Sequence, residues 1–162
     1  MNFDQCFQLL MGDEGGFVDN PGDPGGATCW GITERVARRH GYTGPMQDLP
    51  QATAKAIAKA EYWDPHQCDQ FDGRVAFLVF DAAYNGGQPA QWLQRAAGVA
   101  QDGDIGPVTI AAVKALDPLL ICLRFSAYHQ QYYTSLDRLW PEFGKGWSNR
   151  IANNNLAVAT AS

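Results

Sequence analysis

Asp13-Glu14-Gly15-Gly16-Phe17-Val18-Asp19-Asn20-Pro21-Gly22-Asp23-Pro24-Gly25-Gly26-Ala27-Thr28-Cys29-Trp30-Gly31-Ile32-Thr33 marks the change from helix to loop near the start of the chain. Upstream of it, Phe3, Cys6, Phe7 and Leu10 recur at i, i+3, i+4 and i+7, which predicts a helix over 3–14. Asn2 with Gln5 three residues on is a capping box at its start. Gly15 and Gly16 are suited to a left-handed cap at its end. Downstream, Gly, Pro, Asp and Asn predict an ordered loop over 17–32 with room for a short hairpin. The loop carries acids at Asp19 and Asp23, a hydroxyl at Thr28 and an aromatic at Trp30. Such a segment can hold one carboxylic acid, Glu14, on a rigid stem and set further polar groups opposite it.

The remainder reads as helix after helix. Thr33 caps a helix through Arg39 that Gly41 ends, and residues 51–62 form another that Asp64-Pro65 stops. Residues 74–85 are apolar on most sides, the pattern of a buried central helix. Residues 89–97 follow as a short helix, and Pro107 opens one that reaches Leu116. Asp117-Pro118 begins a long helix to about Leu139. Gly144 and Gly146 precede an expected short helix near 147–154, with a frayed tail from Asn155. The expected fold is mainly α, with at most a small β element near residues 17–32. The 162 residues suffice for one compact domain, 1–162, with subregions 1–87 and 88–162.

Composition narrows the function classes. Hydrophobic residues make up 46% and charged residues 18%, an ordinary globular balance. A net charge of −5 argues against a sequence-independent grip on nucleic acid, which needs clustered cations. It also argues against electrostatic attachment to anionic membranes or wall polymers, so an anionic partner must be held by shape and hydrogen bonds. The four cysteines form no C-x-x-C pair, and a chain of this size needs no disulfides, so reduced thiols are expected. His40, His66 and His129 lack metal-ligand spacing, and neither a metal nor a cofactor is expected. Met1–Cys6 lacks a basic signal-peptide start and no apolar run reaches membrane-span length, so synthesis as a soluble cytoplasmic protein is expected.

Glu14 is the first candidate for chemistry. At the negative end of a helix dipole, beside Phe17 and Trp30, its acid form is favoured, as a proton donor to a glycosidic oxygen requires. The plainer reading is a surface glutamate that ends a helix. Asp23, nine positions on, is the candidate second carboxylate, ahead of Asp19, although both also suit turns beside proline and glycine. Thr28 could assist it. Asp81, Tyr84 and Asn85 share one helix, with Asp81 and Asn85 at i, i+4, so they line a cleft or form a buried network. Asn85 also suits a helix cap. Tyr62 and Trp63 suit either sugar stacking or the core. Cys29 with His66 is the rival nucleophile and base.

E-G-G-F-V-D-N-P-G-D-P-G-G-A-T-C-W-G-I-T resembles the signature of the glycoside hydrolase 108 lysozymes, E-G-G-[YF]-x-x-x-x-x-D-x-G-G-x-T-x-x-G-I-T. Glu61-Tyr62-Trp63-Asp64 and Phe80-Asp81-Ala82-Ala83-Tyr84-Asn85-Gly86-Gly87 resemble two further elements of that family. Trp92–Val99 with Asp102–Thr109 resembles its peptidoglycan-binding-like segment. The resemblance implies a lysozyme-like helical fold, with 1–87 catalytic and 88–162 peptidoglycan-binding-like. It implies an N-acetylmuramidase that cleaves the β-1,4 bond between N-acetylmuramic acid and N-acetylglucosamine. Glu14 would be the catalytic acid, with Asp23 and Thr28 opposite it, and Trp30, Tyr62, Asp81, Tyr84 and Asn85 would contact the glycan. Thr28 falls one residue early against the E-x8-D-x5-T spacing of related phage lysozymes. The expected partner is the peptidoglycan glycan strand, and no nucleic acid or membrane insertion is expected. The expected role is that of a monomeric phage endolysin, released by a holin to the periplasmic wall. The other readings are a muramidase aiding protein secretion, a Cys/His peptidoglycan peptidase and a non-catalytic wall-binding protein.

Overall fold

The computed structural model of the chain describes residues 1–12, 16–18 and 26–161. Helix α1, Phe3–Met11, begins with the expected capping box. Gln5 N–H donates to Asn2 Oδ1 at 3.0 Å and Asn2 N–H to Gln5 Oε1 at 2.9 Å. The helix is shorter than the 3–14 expected. Gly12 caps it at φ 55°, a left-handed conformation that favours glycine, and its N–H closes on the Gln8 carbonyl.

The small β element is a three-stranded antiparallel sheet of β1 (Phe17–Val18), β2 (Thr28–Cys29) and β3 (Ile32–Thr33). Trp30 and Gly31 join β2 to β3 with φ 55° and 72°, the two-residue hairpin turn whose twist matches its strands. Thr33 then caps α2 (Glu34–Arg39), accepting from Val36 N–H at 3.3 Å. Helix α3 (Gln51–Ala58) runs directly into a π-helical turn over Lys59–Trp63, one residue past the helical stretch of 51–62 expected there.

Helix α4, Gly73–Tyr84, is the central helix foreseen from its apolar surface: every residue from Val75 to Ala82 is buried. Around it stand α5 (Pro89–Ala97), α6 (Pro107–Lys114), α7 (Pro118–Thr134) and α8 (Trp140–Thr160). The last of these overturns the expected short helix and frayed tail. Pro141 sits in the first turn, where its missing N–H costs nothing. Gly144 lies against the Trp140 ring, where a Cβ would come within 2.6 Å of Cδ2. Ile151, Asn154 and Val158 then bury one face as far as the final turn.

Two hydrophobic clusters result among the described residues. The larger draws Phe7 from α1, Val75 to Phe80 from α4, Leu93 from α5, Phe125 from α7 and Val158 from α8. The smaller joins Cys29 and Ile32 of the hairpin to Val36, Met46, Leu49 and Ile57. Tyr62 and Tyr84 pack against both, at the seam. No described helix is long and apolar enough to cross a membrane.

Candidate functional site

At this seam the described residues form a small cleft of about 150 Å³. Its walls are Leu10 and Met11 from the end of α1, Trp30 and Gly31 from the hairpin turn, Tyr84 and Asn85 from the end of α4, and Arg150 from α8. A larger open depression of about 760 Å³ between α1 and α8 is lined by Gln5, Gln8, Leu9 and Thr160, which carry no acid or base for catalysis.

The hairpin turn is clamped in place. Trp30 indole N–H donates to the Leu49 carbonyl at 2.8 Å, and Tyr84 hydroxyl donates to the Trp30 carbonyl at 2.5 Å. Gly31 has no room for a side chain, since a Cβ would lie 2.7 Å from Tyr84 Cε1. Tyr62 stacks behind Tyr84 with ring centroids 4.8 Å apart, so it supports the wall instead of forming it. Burial pushes both phenols above their ordinary range, and they remain neutral donors at physiological pH.

Asp81 is only 2% exposed, which corrects the expected glycan contact. Its two carboxylate oxygens are occupied from within the protein. Oδ1 accepts from Arg150 Nη1 at 3.0 Å and Oδ2 from Asn154 Nδ2 at 2.7 Å. Asn85 caps α4 by donating to the Asp81 backbone carbonyl at 2.7 Å. Burial pushes the Asp81 carboxyl up, against the opposing pull of Arg150 and Asn154. The buried-network reading of the Asp81/Asn85 pair therefore holds for Asp81, while Asn85 and Tyr84 reach the cleft. Arg150 and Asn154 were not foreseen. The sequence signal was their i, i+4 spacing beside Ile151 and Val158, hidden in a segment read as short helix and frayed tail.

Thr28 lies on β2, where its hydroxyl donates to the Val18 carbonyl at 3.4 Å, a long contact across the sheet. Glu14, Asp19 and Asp23 lie outside the described residues. Trp63 is core: it is 2% exposed, and its indole N–H donates to Asp69 at 2.8 Å. Cys29 is 3% exposed and burial raises its pKa, while the His66 ring bonds to the Tyr62 carbonyl. A buried thiol held in its neutral form is a poor nucleophile, which weighs against the Cys/His peptidase.

The Asp102–Thr109 segment is fastened by one buried side chain, Gln94. Its amide donates to Asp102 Oδ1 at 2.6 Å, to the Asp104 carbonyl at 2.9 Å and to Thr109 Oγ1 at 3.3 Å. Gly103 N–H donates back to Gln94 Oε1 at 2.9 Å. These bonds account for the Asp-Gly-Asp pattern as a turn locked onto α5.

A family model described as Glycosyl hydrolase 108 matches residues 7–87, including the hairpin, the π-turn and all of α4. The chain belongs to the glycosyl hydrolase 108 family. A second model, described as Predicted Peptidoglycan domain, matches residues 88–152 and includes Arg150. Among solved structures, the chain is similar to Brucella abortus SagA, with 31% identity, a TM-score of 0.84 and coverage of 99% of this chain and 97% of that one. No curated protein matches the chain. It is thus a glycoside hydrolase of the lysozyme-like kind with peptidoglycan as substrate, built on a mainly α fold.

Proposed function

We propose that this hydrolase cleaves the β-1,4 bond between N-acetylmuramic acid and N-acetylglucosamine, with Glu14 as proton donor to the leaving oxygen. The observation that carries the reading is the position of the cleft at the end of α1. Met11 is part of its wall, and Glu14 follows three residues later in the chain. Asp23 is the proposed second carboxylate, which holds water or stabilises the developing positive charge. Thr28 assists it from β2, and Trp30, Tyr84 and Asn85 contact the sugars, with Tyr62 supporting Tyr84. No cofactor enters this chemistry.

The biological role we propose is lysis: a monomeric phage endolysin made in the host cytoplasm and released by a holin to the periplasmic wall. Family resemblance supports this role. Co-expression with and without a holin tests it, since lysis that proceeds equally without one would contradict it.

Digestion of purified sacculi, borohydride reduction and mass spectrometry of the muropeptides test the chemistry. New reducing muramic acid ends are expected. New peptide termini, or retention on sacculi with no fragments, would overturn the reading. Glu14→Gln should lower turnover by at least about 100-fold with an unchanged melting transition, as expected when a general acid is lost. Full activity in that variant would remove Glu14 from the mechanism.

A further inference from the structure

We infer that Arg150 sets the substrate specificity of the cleft by binding a carboxylate on the muramic acid side of the glycan; this rests on the muramidase reading. Arg150 is the cation among the described residues of the cleft wall. Its side chain is 39% exposed, whereas the Asp81 carboxylate that braces it is 3% exposed. A guanidinium carries five N–H donors in a rigid plane matched to a carboxylate, so one bond to Asp81 fixes its orientation without using up its donors. Asp81 is itself fixed, because Asn154 holds its other oxygen. The other polar side chains of the wall spend donors within the protein: the Trp30 indole on the Leu49 carbonyl, the Tyr84 hydroxyl on the Trp30 carbonyl and the Asn85 amide on the Asp81 carbonyl.

The network also gives a reason for an acid on a helix otherwise packed with apolar side chains. A buried carboxylate is weak support for stability but a firm brace for an arginine that must keep one direction. With a net charge of −5, the chain has no general attraction for an anionic polymer. One braced cation at the cleft confines that attraction to the place where the glycan is cut. In this polymer the carboxylate has two sources. It is the lactyl group where the stem peptide has been removed, and a stem-peptide carboxylate where the lactyl group is an amide.

Calorimetry in the Glu14→Gln background, which holds turnover back, tests this with three forms of one tetrasaccharide of alternating N-acetylglucosamine and N-acetylmuramic acid. One has free lactyl carboxylates, one has them as neutral carboxamides, and one carries stem peptides. The chain with Arg150 should bind one of the two acidic forms about 10- to 100-fold more tightly than the carboxamide, and whichever it prefers identifies the source. Arg150→Gln should erase that preference while changing carboxamide affinity less than about 3-fold, and Arg150→Lys should restore part of it. Equal affinity for all three forms, or a preference that survives Arg150→Gln, overturns the proposal. Should Arg150→Gln leave Asp81 uncompensated and fail to fold, Asp81→Asn with Arg150→Gln removes both charges, and the same loss of preference is expected. Failure of the muramidase reading is visible separately, as no reducing muramic acid ends from wild-type protein.

Discussion

His129 on α7 is 3% exposed, and its Nε2 has no hydrogen-bond partner among the described residues. Trp92 stacks on the ring at 4.4 Å, Tyr133 lies at 4.5 Å and Phe125 at 6.3 Å. Burial, with the nearby Arg150 charge second, lowers its pKa to about 4 from an ordinary 6.5. The unfolded chain therefore binds more protons than the folded one between pH 4 and 6.5. Stability rises with pH across that window, and as pH falls through it roughly 3 kcal/mol is lost. His129→Phe should flatten this dependence and, by removing an orphaned polar atom, raise stability at pH 5 by at least about 1 kcal/mol. Urea unfolding of both proteins at pH 4, 5, 6 and 7 measures it. Asp81 titrates in both proteins, so the difference between them isolates His129. A slope unchanged by the substitution would place the titrating group elsewhere.

At the scale of elements, α8 shows why part of the fold was hidden. Gly144 and Gly146 read as the lead-in to a short helix, yet α8 already begins at Trp140, and Pro141 and the two glycines each have a different place in it. Pro141 is in the first turn, and Gly144 makes room for the Trp140 ring. Gly146 is exposed, with open space around it. Gly144→Ala should destabilise by about 1–3 kcal/mol through the clash, despite alanine's better helix propensity. Gly146→Ala should stabilise by about 0.5–1 kcal/mol. Thermal melts of the pair check this, and equal shifts in one direction would contradict the packing argument. By contrast, the start of α1 and the α4 core were legible, because a capping box and helical periodicity are local patterns. Part of the cleft was legible for the same reason: Tyr84 and Asn85 are adjacent, and Trp30 sits in a recognisable turn. Arg150 was not, because its partner Asp81 is 69 positions away and no local pattern announces the pair.

For the whole molecule, residues 7–87 and 88–152 match different family models, yet α4 of the first packs against α5 and α7 of the second within one core. We propose that the halves fold as one unit. A fragment of residues 1–87 should lack a cooperative melt, since it would expose the face of α4 that α7 covers, while the full chain should show a single transition by circular dichroism and tryptophan fluorescence alike. Two separate transitions, or a fragment that melts cooperatively, would show independent domains.

Cys6, Cys29, Cys68 and Cys122 are all free and buried, and burial pushes the Cys6 and Cys122 thiols up to about 12. Their location turns them into internal clocks. An alkylating reagent added to the native chain finds no ready thiolate, so the rate at which each cysteine is labelled reports how often its surroundings open, not how reactive its sulfur is. Cys29 keeps time for the hairpin cluster and the other three for the helical core. Peptide mapping of a labelling time course would thus show whether the hairpin side of the cleft breathes while the bundle behind it stays shut.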